Sequence, residues 1–402
     1  MQTNTRNLIV GSSLMAASLL LAQATVADTV SEALANGTST GDFRLRFESV
    51  DQNNALKDAE ALTLRSRISY TTGTVSNMSA TVEFEDVRIV GGIGDYNNPV
   101  DGRPGYSVVA DPEQTEIDQA FVQYKTDQFT ARYGRQVLTL DNHRFTGHVG
   151  WRQDRQTFDA FSAKYTGVEN LTATYAYLLK RNRIFGEDLD IQSKDHLLNA
   201  SYKTAIGTVT AYGYFLEEDK LGEKAFNTLG LRYTGSADFS ATHVSYTAEF
   251  ATQKKDDALG ADFDADYWLL EAGVSGSGMT AKLGYEVLGS DGGQYGFSTP
   301  LATLHAFNGW TDSFLGTPNE GLVDLYVSVG GKLGGGKLSV VYHDFKADEA
   351  SATVDKLGRE YGIVYSRKFG KNYTAGIKYA SYKAGDIKVD TDKLWVWVGA
   401  KF

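Results

Sequence analysis

One pattern constrains this chain more than any other: an alternation of period two that runs through roughly 360 residues. Phe43, Leu45 and Phe47 alternate with Arg44, Arg46 and Glu48. Leu62, Leu64, Ile68 and Tyr70 alternate with Thr63, Arg65, Arg67 and Ser69. Ala80, Val82 and Phe84 alternate with Thr81, Glu83 and Glu85, and Phe129, Ala131 and Tyr133 with Thr130 and Arg132. The same rhythm returns at Val244–Phe250, Met279–Val287, Val323–Val329 and Tyr373–Tyr379. Successive side chains of a strand point to opposite faces, so each segment has one apolar and one polar face.

About 18 such segments can be marked, with about 16 as the other even count within reach. No linker, charge block or Pro/Ser stretch divides them. A soluble sandwich seldom extends so far as one unit. A single open sheet of this size would leave long apolar edges. Closure with the apolar face outward solves both problems, and that is a transmembrane antiparallel β-barrel. The connections agree, because short ones (such as 72–77, 125–128, 204–207 and 235–240) alternate with long ones (91–113, 141–154, 290–320). Tight periplasmic turns and larger external loops produce that alternation. Tyr70, Tyr124, Tyr165, Tyr202, Trp268, Tyr365 and Tyr379 fall near predicted strand ends, where aromatic girdles sit.

Composition removes other classes. The 402 residues contain no cysteine, which excludes disulfide scaffolds and thiolate metal sites. Fifty acids against 39 Lys plus Arg give a net charge of −11, unsuited to nucleic acid. Beyond the N-terminal segment no apolar run of about 18 residues exists, so spanning helices are excluded. Residues 1–27 read as a secretory signal: Arg6, an apolar run from Leu8 to Leu21, and cleavage after Ala27. The remainder, 28–402, reads as one barrel domain. In its last strand Leu394, Val396, Val398, Ala400 and Phe402 share one parity, and Phe402 ends the chain. An aromatic residue at the end of an alternating strand resembles the sorting signal of bacterial outer-membrane barrels.

If the apolar parity meets lipid, the other parity lines the interior. Arg44, Arg46, Arg65, Arg67, Glu83, Glu85, Arg132 and Lys401 then line it. Like charges on neighbouring strands repel, so the cluster needs a reason. Two compatible readings stand. The arginines and glutamates form a network that holds the wall, or the guanidiniums offer forks to anions in transit. The connection after the fifth segment holds Asp141, His143, Arg144, Phe145, His148, Trp151, Arg152 and Arg155, with glycines that allow tight folding. This charged and aromatic mixture suits a loop folded into a pore; an ordinary surface loop is the plainer alternative.

Here the residues carry a resemblance. Tyr133-Gly134-Arg135-Gln136, Asp141-Asn142-x-Arg144-Phe145 and Gly147-x-Val149-Gly150-Trp151-Arg152-Gln153 are similar to the alginate-export type of outer-membrane porin, as is the opening Gly41–Glu48. The sharp motifs cover 41–70 and 133–155. The resemblance implies an 18-stranded barrel, like those of the related carboxylate channels, with an arginine-lined, loop-constricted pore. It puts Arg44, Arg65, Arg67, Arg132, Arg144 and Arg152 on the selectivity path. It does not imply alginate as solute.

The expected function is therefore diffusion of small hydrophilic, anionic solutes through an outer-membrane pore. Expected partners are outer-membrane lipid, lipopolysaccharide, those solutes, and the barrel-assembly machinery that reads the last strand. No cofactor or metal is expected, and monomer and trimer both stay open. A barrel hydrolase is the first alternative, but in the adjacent pair His343-Asp344 the two side chains, as strand neighbours, point apart. A secreted soluble adhesin or lectin is the second. Asp256, Asp257, Asp262, Asp264 and Asp266 read as a solvated acidic loop rather than a cation site.

Overall fold

The computed structural model describes residues 29–218, 224–257 and 262–402; the segment read as a signal, 1–27, lies outside them. A short helix α1 (Val30–Ala35) precedes β1 (Thr38–Gln52), β2 (Ala59–Thr71), β3 (Met78–Asp95), β4 (Gln114–Lys125), β5 (Phe129–Gln136), β6 (Thr157–Tyr165) and β7 (Leu171–Asn182). There follow β8 (Ile191–Thr204), β9 (Gly207–Glu217), β10 (Lys224–Phe239), β11 (Thr242–Asp257), β12 (Asp262–Gly276) and β13 (Met279–Leu288). A two-residue hairpin of β14 (Ser290–Asp291) and β15 (Tyr295–Gly296) stands apart from the sheet. The series ends with β16 (Leu322–Leu333), β17 (Gly336–Lys346), β18 (Lys356–Phe369), β19 (Tyr373–Ala384) and β20 (Thr391–Lys401).

Without the hairpin, these are 18 strands of one sheet. Each pairs antiparallel with its neighbours in sequence, and β20 closes on β1 from Asp42↔Lys401 to Gln52↔Thr391. Phe402 completes the seam by exchanging both backbone hydrogen bonds with Gly41, at 2.9 and 3.0 Å. The barrel thus has no free edge.

The alternation becomes two surfaces. On β1, Arg46, Glu48 and Val50 are buried inside, while Phe43, Leu45 and Phe47 face out. Ile68, Phe84, Leu270 and Leu283 stand out from the wall, each more than half exposed. Charge on such a face would cost about 2–4 kcal/mol at the bilayer midplane, so aliphatic and aromatic residues hold it. Of the expected girdle residues, Tyr124, Tyr165, Tyr202, Trp268 and Tyr379 are on the exposed outer face.

The interior differs from the sequence expectation in one respect. Its parity is not uniformly polar. Leu197, Tyr212, Tyr214, Leu216, Tyr267, Phe345 and Tyr382 point inward and join one buried core with Phe297, Leu301 and Phe314. The cause is the loops: long connections packed against the inner wall must bury their own apolar side chains, and the wall supplies the matching surface. The turn expected at 235–240 is shorter too. β10 continues to Phe239 and the turn is Ser240–Ala241, with Ser240 at φ 56°. Gly235, read as a turn residue, lies within β10 because the ring of Tyr246 on β11 occupies the place of its missing side chain.

Candidate permeation site

Strand register brings the predicted arginines together. β1 and β2 pair Arg44 with Arg65 and Asp42 with Arg67. Repulsion is relieved locally. Arg65 meets Asp42 at 2.5 Å. Arg67 contacts Glu85 and lies 3.5 Å from Asp118. Arg46 pairs with Asp111 and, at 3.3 Å, with Glu48. Arg44 has no carboxylate partner among the described residues. Its guanidinium donates instead to the carbonyls of Gly150 (3.3 Å), Trp151 (2.9 Å) and Arg152, and to Gln153 Oε1 (2.9 Å). Glu83 joins this group through Arg155. Arg132 lies apart, bonded to Gln123 at 2.8 Å and set over the Phe121 ring. Lys401 sits near the short-turn rim, 2.9 Å from Asp42 and largely exposed.

Loop 137–156 meets this wall at several points. Arg152 forks onto Glu48 at 3.0 and 3.1 Å, with Asp312 3.6 Å away. Arg155 reaches Asp118 at 2.6 Å. Gln153 Nε2 donates to Thr63 Oγ1 at 2.8 Å. Trp151 stacks on His305 (4.9 Å, 5° between planes), with Trp395 and Trp397 edge-on and Lys378 4.2 Å above its face. Farther along the loop, Arg144 is buried against Glu286 (2.7 Å) and Asn308 (3.0 Å). Phe145 lies among Tyr212, Tyr214, Tyr267 and Phe297. Asp141 accepts from Asn199 at 2.7 Å, and its burial raises its carboxyl above the usual value. His143 packs edge-on to His148 at 5.4 Å. Burial and His143 hold the His148 imidazole down to about 4, so it is neutral at pH 7.

Sequence reasoning missed the second half of this assembly, loop 289–321, noting only its length. Leu301 pairs with Thr146, and its carbonyl accepts from Gly147 N at 2.8 Å. Asn308 bridges Arg144, Glu286 (2.7 Å) and Asp324 (3.1 Å). His305 Nδ1 lies 2.6 Å from Asp312, which also takes Lys393 at 2.9 Å. Burial pushes the His305 imidazole down to about 3. Burial alone would raise Asp312, but His305, Lys393 and Arg152 hold its carboxyl well below the usual range. Trp395 and Trp397 were missed because the last strand drew attention to its other parity. The mixture of His305, Trp310 and Asp312 was the available signal, like that of the 141–155 segment.

Between the loops lies a cavity of about 600 Å³. Val50, Val108, Ile184, Phe185, Leu304 and Leu315 give it apolar walls. Four cations, Arg152, Arg183, Lys388 and Lys393, border it with one carboxylate, Asp312. Arg183 and Lys388 have no acid partner among the described residues.

His343 does not use Asp344. Its Nδ1 lies 2.9 Å from Asp324, on the neighbouring strand β16. Adjacent residues of a strand point apart, whereas a sheet pairs residues across strands. No hydroxyl is bonded to His343 or His305 among the described residues, and no metal-binding cluster of His, Asp and Glu occurs among them. Residues 258–261 of the acidic loop lie outside the described residues.

A closed 18-strand barrel with an apolar coat and a charged interior is an outer-membrane porin-type protein, placed in the outer membrane of a Gram-negative bacterium. The profile of the alginate export family matches residues 37–288, and the chain belongs to that family. No curated protein matches by sequence. Among solved structures the chain is similar to Acinetobacter baumannii OccAB1, with TM-score 0.73 and 14% identity over 93% of this chain and 98% of that one. It is also similar to Pseudomonas aeruginosa OccK9 (OpdG), with TM-score 0.70 and 12% identity, covering 92% and 99%. A third is Pseudomonas aeruginosa OpdK with vanillate, with TM-score 0.69 and 12% identity, covering 90% and 98%. At these identities the likeness is one of fold.

Proposed function

We propose that the barrel is a diffusion channel for small anionic solutes, and that loop 137–156 folds into the pore and narrows it. The observation that carries the reading is the cavity between the loops, where four cations face a single carboxylate across apolar walls. An anion gains charge-assisted hydrogen bonds there while its carbon skeleton leaves water. Arg44, without an acid partner among the described residues, adds positive potential behind the loop carbonyls. The family name does not identify the solute. The vanillate in the OpdK structure belongs to that protein, yet it names a sensible first probe, an aromatic carboxylate.

Single-channel recordings with aromatic carboxylates, aliphatic carboxylates and uronate oligomers as blockers test this. Block by the small carboxylates, weakened in an Arg183→Ala/Lys393→Ala variant, is expected. Equal block by neutral solutes of the same size would overturn it. In this reading the outer coat meets lipid and lipopolysaccharide, and the barrel-assembly machinery reads β20 and Phe402.

A further inference from the structure

Where loop 137–156 meets β3 and β4, outside the lining of the cavity, lies an excess of acid. Glu83 and Glu85 on β3 and Asp118 on β4 gather around Arg67 of β2 and Arg155 of the loop, with Glu116 of β4 and Asp154 of the loop beside them. Five carboxyls thus share two guanidiniums. The next cation, Arg135, is engaged by Asp159 at 2.9 Å. His148, also on the loop, is neutral. Gln114 is the remaining polar neighbour.

Asp154 is the outlier of this group. It is fully buried, no cation among the described residues pairs with it, and neither oxygen accepts a hydrogen bond. Glu85, which acts on its carboxyl, has one oxygen held by Arg67 and the other, Oε1, buried and without a hydrogen bond. Two ionised carboxylates in a dry site repel strongly, and a shared proton removes the repulsion. Glu83, Glu85 and Asp118 each meet a guanidinium and Glu116 is half-buried, so Asp154 is the carboxyl with neither a cation nor exposure to stabilise its charge.

We propose that Asp154 is a positioning residue of the pore: as a neutral carboxyl it donates to Glu85 and clasps loop 137–156 to the barrel wall. The proposal rests on the reading that this loop narrows the pore. Burial, Glu85 and Glu116 raise the Asp154 carboxyl well above the usual carboxylate range. A released loop would expose Asp154 to water, where it ionises near the ordinary value. The docked loop keeps its proton longer. Docking therefore weakens as pH rises from that ordinary value to the point where Asp154 ionises in place.

The test combines two measurements on the full-length channel, wild type and Asp154→Asn. The side-chain amide introduced by D154N donates to Glu85 without a titratable proton, so this variant keeps the clasp at every pH. The difference between wild-type and D154N infrared spectra at about pH 7 should contain a neutral-carboxyl band. Bilayer recordings from about pH 5 to about pH 9 should show wild-type conductance growing noisier and larger, with a smaller response in D154N. Absence of the band overturns the proton on Asp154. A band without any pH response in conductance contradicts the narrowing role of the loop, and the positioning role with it, but leaves the proton on Asp154 established.

Discussion

Loop 137–156 is held at its two ends by different balances of charge and packing. Residues 150–155 meet the β1–β4 wall through charge: Arg152 on Glu48, Arg155 on Glu83 and Asp118, and Arg44 on loop carbonyls. Residues 144–145 meet the β8–β13 wall mainly through packing, with Phe145 among Tyr212, Tyr214 and Tyr267 and a single ion pair, Arg144–Glu286. The charged side fixes position and orientation, because forks and carbonyls accept only certain geometries. The aromatic side supplies non-directional stabilisation from buried area. A loop held by both is located by one and stabilised by the other.

Breaking one partner of the charged side should have the largest effect. Glu48→Ala removes the carboxylate on which buried Arg152 forks, leaving it Asp312 at 3.6 Å and Asp111 at 3.8 Å, and should cost about 3 kcal/mol, read from thermal unfolding in detergent. On the aromatic side Phe145→Leu should cost only about 1–2 kcal/mol, because volume is partly retained and no charge is stranded. A double variant that is additive would show the two ends acting independently; strong coupling would show one cooperative unit. Acid should act through Asp312, which Arg152 faces at 3.6 Å. Asp312 is held ionised below its ordinary value of 3.8. Its contribution is therefore present above that value and lost as pH falls below it, so proteolysis of loop 289–321 should rise only there. Lys401→Ala, at an exposed pair on the rim, should change stability by no more than about 1 kcal/mol.

The barrel was legible because lipid and water impose opposite demands on alternate residues, as along Phe43–Glu48. The 141–155 segment stood out by composition. Its partners did not, because Arg44 and Gly150, or Arg144 and Glu286, meet only once the sheet has closed. β9 shows a second limit: Tyr212, Tyr214 and Leu216 point inward and Phe215 outward, so both faces are apolar and parity alone cannot assign them. Gly235 shows a third, since a glycine beneath a cross-strand tyrosine looks in sequence like a turn.

The central claim is that the pore prefers anions although the chain carries a net charge of −11. Reversal potentials across a planar bilayer under a salt gradient measure this directly, most sensitively at low ionic strength, where charges are least screened. An anion-preferring pore gives a potential of the sign set by anion permeation, reduced in the Arg183→Ala/Lys393→Ala variant. A potential of the opposite sign, showing cation preference in the wild type, would contradict it.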